Sequence, residues 1–297
     1  MTTEVTGAAL AAWRTQARHQ TEAAGVDPAE VDWLLRALSP LDALTLKLGR
    51  LGELPAIPLG LSLEELDHRW QQRLQQRVPV QYLAGQTPWR DLTLQVSPAV
   101  LIPRPETELI IDLAVAASQR VPALQTGLWA DLGTGSGAIA LGLAQALPSA
   151  TILAVDRSPA ALAVAQANAE AAGLADRIHF FQGSWFAPLA PYRGQIHAMV
   201  ANPPYIPTGL LPTLAAEVIA HEPRAALDGG VDGLGSIRTL VADAPDYLGP
   251  GGLWLVEMMQ GQGPAILALL AANGAYRDSQ VHRDLAGCDR FTQAWRR

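Results

Sequence analysis

At 297 residues the chain is long enough for two domains with a sizeable core, so a short disulfide-stapled scaffold is excluded. Hydrophobic residues make up 49% and charged residues 16%, which excludes a chain that stays disordered throughout. The formal net charge of −7, with Lys47 as the single lysine, argues against a broad basic face for gripping nucleic acid. Cys288 stands alone, so neither an intramolecular disulfide nor a cysteine-based zinc site is expected. The six histidines show no ligand spacing, and no metal site is expected. Glu4, Arg14, Arg18, Glu22 and Asp27 interrupt the first thirty residues, and no uncharged run approaches the ~18 residues of a membrane span. The expectation is a cytoplasmic protein with no membrane partner.

Residues 1–85 read as a helical bundle. Asp27-Pro28-Ala29-Glu30 combines a capping side chain, a first-turn proline and an acidic residue, and Val31, Leu34, Leu35 and Leu38 follow on one stripe. Ser39-Pro40 repeats the start signal. Ser62-Leu63-Glu64-Glu65 is a third capping box, ahead of Leu66, Trp70 and Leu74 at i, i+4 and i+8, and Pro79 ends that helix. The stretch from Gly49 to Gly60, with Pro55 and Pro58, reads as a connecting loop. Eight basic and ten acidic residues lie in 1–85, so this part is no basic nucleic-acid module.

Residues 86–102 change to an alternating period. Leu92, Leu94 and Val96 alternate with Thr93 and Gln95, and Val100-Leu101-Ile102 follows Ser97-Pro98, which predicts a β-hairpin linker. Pro103-Arg104-Pro105-Glu106-Thr107-Glu108 then opens a helix with Leu109, Ile110 and Leu113 on its buried side. From 103 to 297 strands and helices alternate: strands at Leu128–Leu132, Thr151–Val155, Ile178–Gln182, Ile196–Ala201 and Leu253–Glu257, and helices at Ala138–Leu147, Pro159–Ala172 and near Ser236–Tyr247. Apolar strands without a polar face imply burial on both sides, and therefore an α/β fold with a parallel sheet between helices. Ligands of such sheets sit outside the carboxyl ends of the strands.

Two motifs fall at that edge. Asp131-Leu132-Gly133-Thr134-Gly135-Ser136-Gly137 joins a strand to a helix; its glycines permit close approach of a ligand, and the helix start offers free N–H groups. Asp156 ends the next strand, where a carboxylate can accept hydrogen bonds from two ribose hydroxyls. These features fit a nicotinamide dinucleotide and S-adenosylmethionine alike. The second motif, Asn202-Pro203-Pro204-Tyr205, follows the strand ending at Ala201. Its prolines hold the chain extended without backbone donors, so the Asn202 side-chain oxygen and the Pro203 carbonyl can receive both hydrogens of a planar NH₂ group, beside the flat ring of Tyr205.

Together these residues resemble the class I S-adenosylmethionine-dependent methyltransferases that act on planar nitrogens. Over about residues 27–297 the chain resembles, more narrowly, the protein-(glutamine-N5) methyltransferases that modify peptide chain release factors. The likeness includes Pro79-Val80-Gln81-Tyr82-Leu83-Ala84-Gly85, Ile102 through Glu108, the glycine loop, Asn202 through Tyr205, Glu222-Pro223-Arg224-Ala225-Ala226-Leu227, Gly229-Gly230-Val231-Asp232-Gly233-Leu234 and Asp284-Leu285-Ala286-Gly287. It implies a Rossmann-like seven-stranded sheet, with residues 1–85 as the substrate-docking domain and 103–297 as the methyltransferase domain. It implies that Gly133, Thr134, Gly135, Ser136 and Gly137 line the methionine end of S-adenosylmethionine, that Asp156 holds its ribose, that Trp185 flanks its adenine, and that Asn202 borders it. Asn202 and Pro203 would be the catalytic clamp for a glutamine amide, with Pro204 and Tyr205 completing the substrate site. The product would be S-adenosylhomocysteine, and the partner a class-one release factor carrying a Gly-Gly-Gln motif, met by a monomer without nucleic acid. Arg104 and Glu106 either order the loop over the site or are a plain surface ion pair or helix-start charges. One departure stands out: methionine, Met259, occupies a place two residues after Glu257 where the family has glycine, which puts that loop's backbone in question.

Three other readings remain open on the residues. A nucleic-acid adenine methyltransferase shares the Asn-Pro-Pro-Tyr clamp, and salt-sensitive nucleic-acid binding would reveal it. A nicotinamide oxidoreductase explains the glycine loop but not residues 202–205. A scaffold without turnover is the third.

Overall fold

The computed structural model describes residues 3–297, which divide into two compact units. The first runs to Thr87 and takes in Ala215–His221 from later in the chain; the second comprises Pro88–Leu214 and Glu222–Arg297.

The first unit is a small helical bundle. β1 (Glu4–Val5) pairs antiparallel with β2 (Ile57–Pro58), so part of the expected 49–60 loop is a strand. α1 (Gly7–Ala24) starts where the Thr6 hydroxyl accepts from the Ala9 amide, and it stops at left-handed Gly25. α2 (Ala29–Leu38) begins with the Asp27 carboxylate accepting from the Ala29 amide at 2.8 Å. Ser39-Pro40 closes this helix and starts none: the Ser39 hydroxyl donates back to the Leu35 carbonyl. The next start belongs to Asp42, which caps α3 (Ala43–Lys47). Ser62 caps α4 (Leu63–Gln76), as its spacing predicts, and α5 (Val80–Ala84) follows Pro79. Leu10, Val31, Leu34, Leu35, Leu66 and Trp70 form the core, with Leu38 and Leu74 half-buried at its margin. Arg73 is buried between Glu30 and Glu217 of a short returning helix (Ala216–His221), a charge triad inside this unit.

In the hairpin, β3 (Gln86–Trp89) and β4 (Leu92–Gln95) turn at Arg90-Asp91, with Arg90 at φ 51°. Residues 100–102, expected as a strand, have no regular structure. Pro98 and Pro103 flank them and cannot donate to a ladder.

The second unit is a three-layer α/β domain. Its strands are β5 (Leu128–Leu132), β6 (Thr151–Asp156), β7 (Ile178–Gln182), β8 (Ile196–Ala201), β9 (Leu248–Glu257), β10 (Tyr276–Arg283) and β11 (Asp289–Arg296), in the order β10-β11-β9-β8-β5-β6-β7. All neighbours are parallel except the pairs made by β11. This is the Rossmann-like seven-stranded sheet expected. The chain proceeds outward from β5 through β6 to β7, then returns to β8 on the other side of β5. That reversal opens a crevice at the carboxyl ends of β5 and β8.

One face of the sheet packs on helices Leu109–Arg120 and Ala138–Ala146, whose buried residues include Ile110, Ile111, Ala114 and Leu141. On the first of these, Leu109 and Leu113 are only partly buried; the fully buried stripe is Ile110, Ile111 and Ala114. The other face packs on helices Gly235–Tyr247 and Gly263–Asn273 through Ile237, Leu240, Ile266 and Leu270. Among the described residues no helix is long and apolar enough to cross a membrane.

Candidate functional site

The glycine loop leaves β5 and enters the helix that begins at Ala138. Gly133, Gly135 and Gly137 all have positive φ, at 83°, 55° and 84°. A Cβ at Gly135 would meet no atom within 4 Å, so the space before the loop is open, whereas one at Gly137 would press on Ala165 and Leu141 at 3.2 Å. Gly135 therefore serves the approach of a ligand, and Gly137 the packing of two helices. The amides of Gly133 and Thr134 both donate to the Val155 carbonyl. Buried Asn168 ties the loop to the hairpin, donating to the Ser136 and Gln95 carbonyls and accepting from the Gln95 amide.

Asp131 lies beneath the loop, fully buried. Its Oδ2 accepts from the Thr134 hydroxyl at 2.6 Å and the Ala140 amide at 3.1 Å, while Oδ1 has no partner. Burial pushes its carboxyl up to about 7, against the effect of those two donors. Asp156, at the end of β6, accepts from the Gly135 amide through Oδ2 and from the Ser158 amide through Oδ1, each at 2.9 Å. One lone pair on each oxygen remains for a ligand. Trp185, at φ 51°, lays its ring over Gly133, with Cζ3 3.5 Å from where a Cβ would stand.

Asn202 follows β8. Its Nδ2 donates to the Thr107 hydroxyl at 3.3 Å. Tyr205 turns its hydroxyl to Glu257 Oε1 at 3.1 Å, and its carbonyl accepts from Gln262 Nε2 at 3.0 Å. Glu257, the last residue of β9, is fully buried, and its Oε2 has no partner at hydrogen-bond distance. Burial pushes its carboxyl up to about 7, although the nearby Thr107 and Tyr205 hydroxyls act to lower it. At the position where glycine was expected, Met259 closes its loop without a left-handed backbone: its amide donates to Gln262 Oε1, its carbonyl accepts from the Gln262 amide, and Gly261 takes the positive φ of 90°.

A cavity of about 770 Å³ lies at this edge, within the 300–1,000 Å³ range of small-molecule sites. Gly133, Thr134, Gly135, Ser136, Asp156, Trp185, Asn202 and Pro204 line it. Gly137, Pro203 and Tyr205 do not: Gly137 is buried between helices, Pro203 is buried, and Tyr205 faces Glu257. Arg104 also lines the cavity and pairs not with Glu106 but with Glu222, donating to both carboxylate oxygens at 2.8 and 2.7 Å. The segment after Glu222 forms another wall through Arg224, Ala226 and Gly230, and the Ile206–Asp228 bridge and the Thr208 amide bonded to the Gly230 carbonyl fix it to residues 206–208. Sequence reasoning assigned no role to Thr107, Glu222 or Gln262. Glu257 carried a usable signal, an acid directly after the apolar run Leu253–Val256. Among the described residues, no cluster of three or more histidine, cysteine or acidic side chains could hold a metal.

The Methyltransferase small domain family model matches residues 114–231. Among curated relatives, the release factor glutamine methyltransferase of Synechocystis sp. is 49% identical, covering 98% of this chain and 97% of that protein. That of Thermosynechococcus vestitus is 51% identical over 89% and 90%, and that of Gloeobacter violaceus 45% over 96% and 97%. Among solved structures, the hMettl16 catalytic domain bound to the MAT2A 3′UTR hairpin 6 is 15% identical with a TM-score of 0.55, covering 69% of this chain and 75% of that one, a likeness of fold.

Proposed function

The chain belongs to the release factor glutamine methyltransferase family, and from that premise we propose that it methylates the side-chain amide nitrogen of the glutamine in the Gly-Gly-Gln motif of class-one peptide chain release factors. The observation that carries the reading is the Asn202 carboxamide, which gives its nitrogen to Thr107 and so turns its oxygen away from that bond, at the rim of the cavity that Gly135 and Asp156 also line.

The residues present suit S-adenosylmethionine. The cradle at Gly135 is open, its volume is that of a small-molecule site, and the Asp156 carboxylate keeps acceptor capacity for a ribose diol. Gly133, Thr134, Gly135 and Ser136 would wall its methionine end, and Trp185 would cover its adenine. When bound, the cofactor supplies an electrophilic methyl group on a sulfonium, and S-adenosylhomocysteine is the product.

A carboxamide nitrogen is a weak nucleophile because its lone pair is delocalised into the carbonyl. Asn202 Oδ1 at the cavity wall would hold one of its hydrogens and the carbonyl of Pro203, whose ring is buried off that wall, the other, fixing the amide plane and facing the positive charge that develops on nitrogen. Such positioning is worth roughly 7–11 kcal/mol. The methylated nitrogen then sheds a proton to water, so no strong base is needed. Pro204 lines the entry, and Tyr205 braces the clamp through Glu257 instead of stacking on the substrate. In this reading a single cytoplasmic chain meets a protein loop, with no nucleic acid or membrane, and the helical unit of residues 1–85 docks the rest of the release factor.

The test is mass spectrometry of a release factor incubated with isotope-labelled S-adenosylmethionine. Wild type should add one methyl group to the Gly-Gly-Gln glutamine. Asn202→Ala should abolish this while still binding cofactor; an Asn202→Ala variant of full activity ends the proposal.

A further inference from the structure

We propose that Thr107 is a positioning residue for methyl transfer: its buried hydroxyl accepts from the Asn202 carboxamide nitrogen and thereby decides which end of that carboxamide faces the cavity. This rests on Asn202 being an acceptor for the substrate NH₂, as argued above. The two ends of a carboxamide have almost the same shape, so packing alone discriminates poorly between them. Turned around, Asn202 would set its own NH₂ against that of the substrate. Something must therefore set its polarity.

The bond from Asn202 Nδ2 to Thr107 Oγ1, 3.3 Å, is the hydrogen bond its side chain makes among the described residues. A hydroxyl can donate to an amide or accept from it, and the choice depends on where its one proton goes. Thr107 is 3% exposed, so bulk water does not compete for that proton. Glu257 does. Its Oε1 is taken by the Tyr205 hydroxyl and its Oε2 has no hydrogen-bond partner, so we assign the Thr107 proton to that orphaned oxygen. An ionised carboxylate can only accept, so the Thr107 proton turns to Glu257, the Thr107 lone pairs turn to Asn202, and Asn202 Oδ1 is left for the substrate. The groups acting on Glu257 are the Thr107 and Tyr205 hydroxyls and Arg290, which favour ionisation, and Glu106, which opposes it. A protonated Glu257 can donate to Thr107, which frees Thr107 to donate to Asn202 Oδ1 and reverses the whole chain.

Three variants of the full chain test this: Thr107→Val, which keeps the shape and loses the hydroxyl; Thr107→Ser, which keeps the hydroxyl; and Glu257→Gln, which can donate as well as accept. The measurements are single-turnover methylation of a Gly-Gly-Gln peptide across pH 5.5–8.5, cofactor affinity by calorimetry, and thermal unfolding. Thr107→Val should lower the methylation rate about 10- to 100-fold, as loss of a group that orients a reacting partner does, with cofactor affinity unchanged. Thr107→Ser should restore the rate. Wild type should slow on acidification as Glu257 takes up a proton, and Glu257→Gln should slow the reaction at pH 8 and lack that acid fall. Should Thr107→Val fail to fold, the Thr107→Ser and Glu257→Gln rates and pH profiles decide. A wild-type rate in Thr107→Val, a Thr107→Ser rate as low as that of Thr107→Val, or an unchanged acid limb in Glu257→Gln overturns the inference. Failure of the underlying reading looks different, because Asn202→Ala would then methylate like wild type whatever Thr107 does.

Discussion

Gly233 stands behind the clamp, and adding one methyl group there tests how tightly the clamp must be held. Its φ is +76°, and an ideal Cβ would fall 2.2 Å from the Tyr205 carbonyl oxygen, 2.7 Å from Gln262 Nε2 and 3.0 Å from Pro207 Cδ. A carbon–oxygen contact needs about 3.3 Å, so in Gly233→Ala the Tyr205 carbonyl must retreat by about 1 Å and lose its bond to Gln262. Left-handed alanine costs roughly 1–2 kcal/mol and the hydrogen bond about 1 kcal/mol, together about 2–3 kcal/mol. At a few degrees per kcal/mol for a domain of this size, the melting midpoint should fall by about 5–10 °C. Pro203 and Pro204 leave little slack between Tyr205 and Asn202, so the displacement reaches the clamp, where a 1 Å error costs about 100-fold in rate. The glycine loop and Asp156 hang from β5 and β6, so cofactor affinity should stay within about threefold, less than 1 kcal/mol. Calorimetry with S-adenosylmethionine, differential scanning fluorimetry and rapid-quench mass spectrometry of a Gly-Gly-Gln peptide measure the three quantities. A variant that melts early but methylates at the wild-type rate would refute the transmission from Tyr205 to Asn202.

Asp156→Ala should weaken cofactor binding by roughly 1.5–3 kcal/mol, about 10- to 100-fold in Kd, since it removes charged acceptors for the ribose together with the latch on the Gly135 amide; calorimetry measures this. Asp131 and Glu257 both have carboxyls raised to about 7, so each binds a proton more readily in the folded than in the unfolded chain. Their contribution to stability is full below pH 4, declines as pH rises to about 7, and is flat above it. Asp131→Asn, which still offers an acceptor oxygen to Thr134 and Ala140, should flatten that decline in urea titrations between pH 4 and 8. Leu44 and Leu48, one turn apart, are 63% and 54% exposed in the helical unit. If that unit docks the release factor, Leu44→Asp with Leu48→Asp should raise KM for the whole release factor and leave KM for a short Gly-Gly-Gln peptide unchanged; equal effects on both would contradict docking there.

The strands at the centre of the large sheet were legible because burial on both faces leaves mostly apolar runs, and β5 and β8 begin and end where those runs do despite Asp131 and His197; β7, an edge strand with His179 and Gln182 exposed, was legible from Ile178, Phe180 and Phe181. β10 and β11 could not be read the same way: Arg277, Asp278 and Gln280 put polar residues on an exposed edge strand, and Phe291 alternates with hydrophilic neighbours. Ser39-Pro40 misled because serine before proline marks a helix end as readily as a start, and the difference lies in whether its hydroxyl turns back to Leu35 or forward. In the site, the glycine loop, Asp156 and Asn202 were visible as local patterns of residue type. At Gly137, which the family resemblance sets beside the cofactor, a glycine required for packing and one required for ligand approach are the same letter, and the closeness of Ala165 and Leu141 supplies a packing reason that the sequence does not display. Thr107, Glu222 and Gln262 act across separations of 95, 118 and 57 residues, which no local pattern displays.

The pleat of the sheet explains how such distant residues meet. Asp131 is in register with Val200, and Val200 with Leu255, so the three stand level on neighbouring strands with their side chains on one face. Two residues further toward the carboxyl edge, the same alternation brings Asn202 beyond β8 and Glu257 at the end of β9 to that face. The intervening Ala201 and Val256 pack into the core on the opposite side. The shared face is the one covered by helix Leu109–Arg120, and the turn directly before that helix holds Thr107. A single-residue slip of β9 against β8 would turn Glu257 into the opposite core and bring Met258 toward Thr107. The polarity of the Asn202 amide thus depends on strand register as well as on the identity of the residues around it, and an insertion or deletion within β9 should abolish methylation even where the sheet survives.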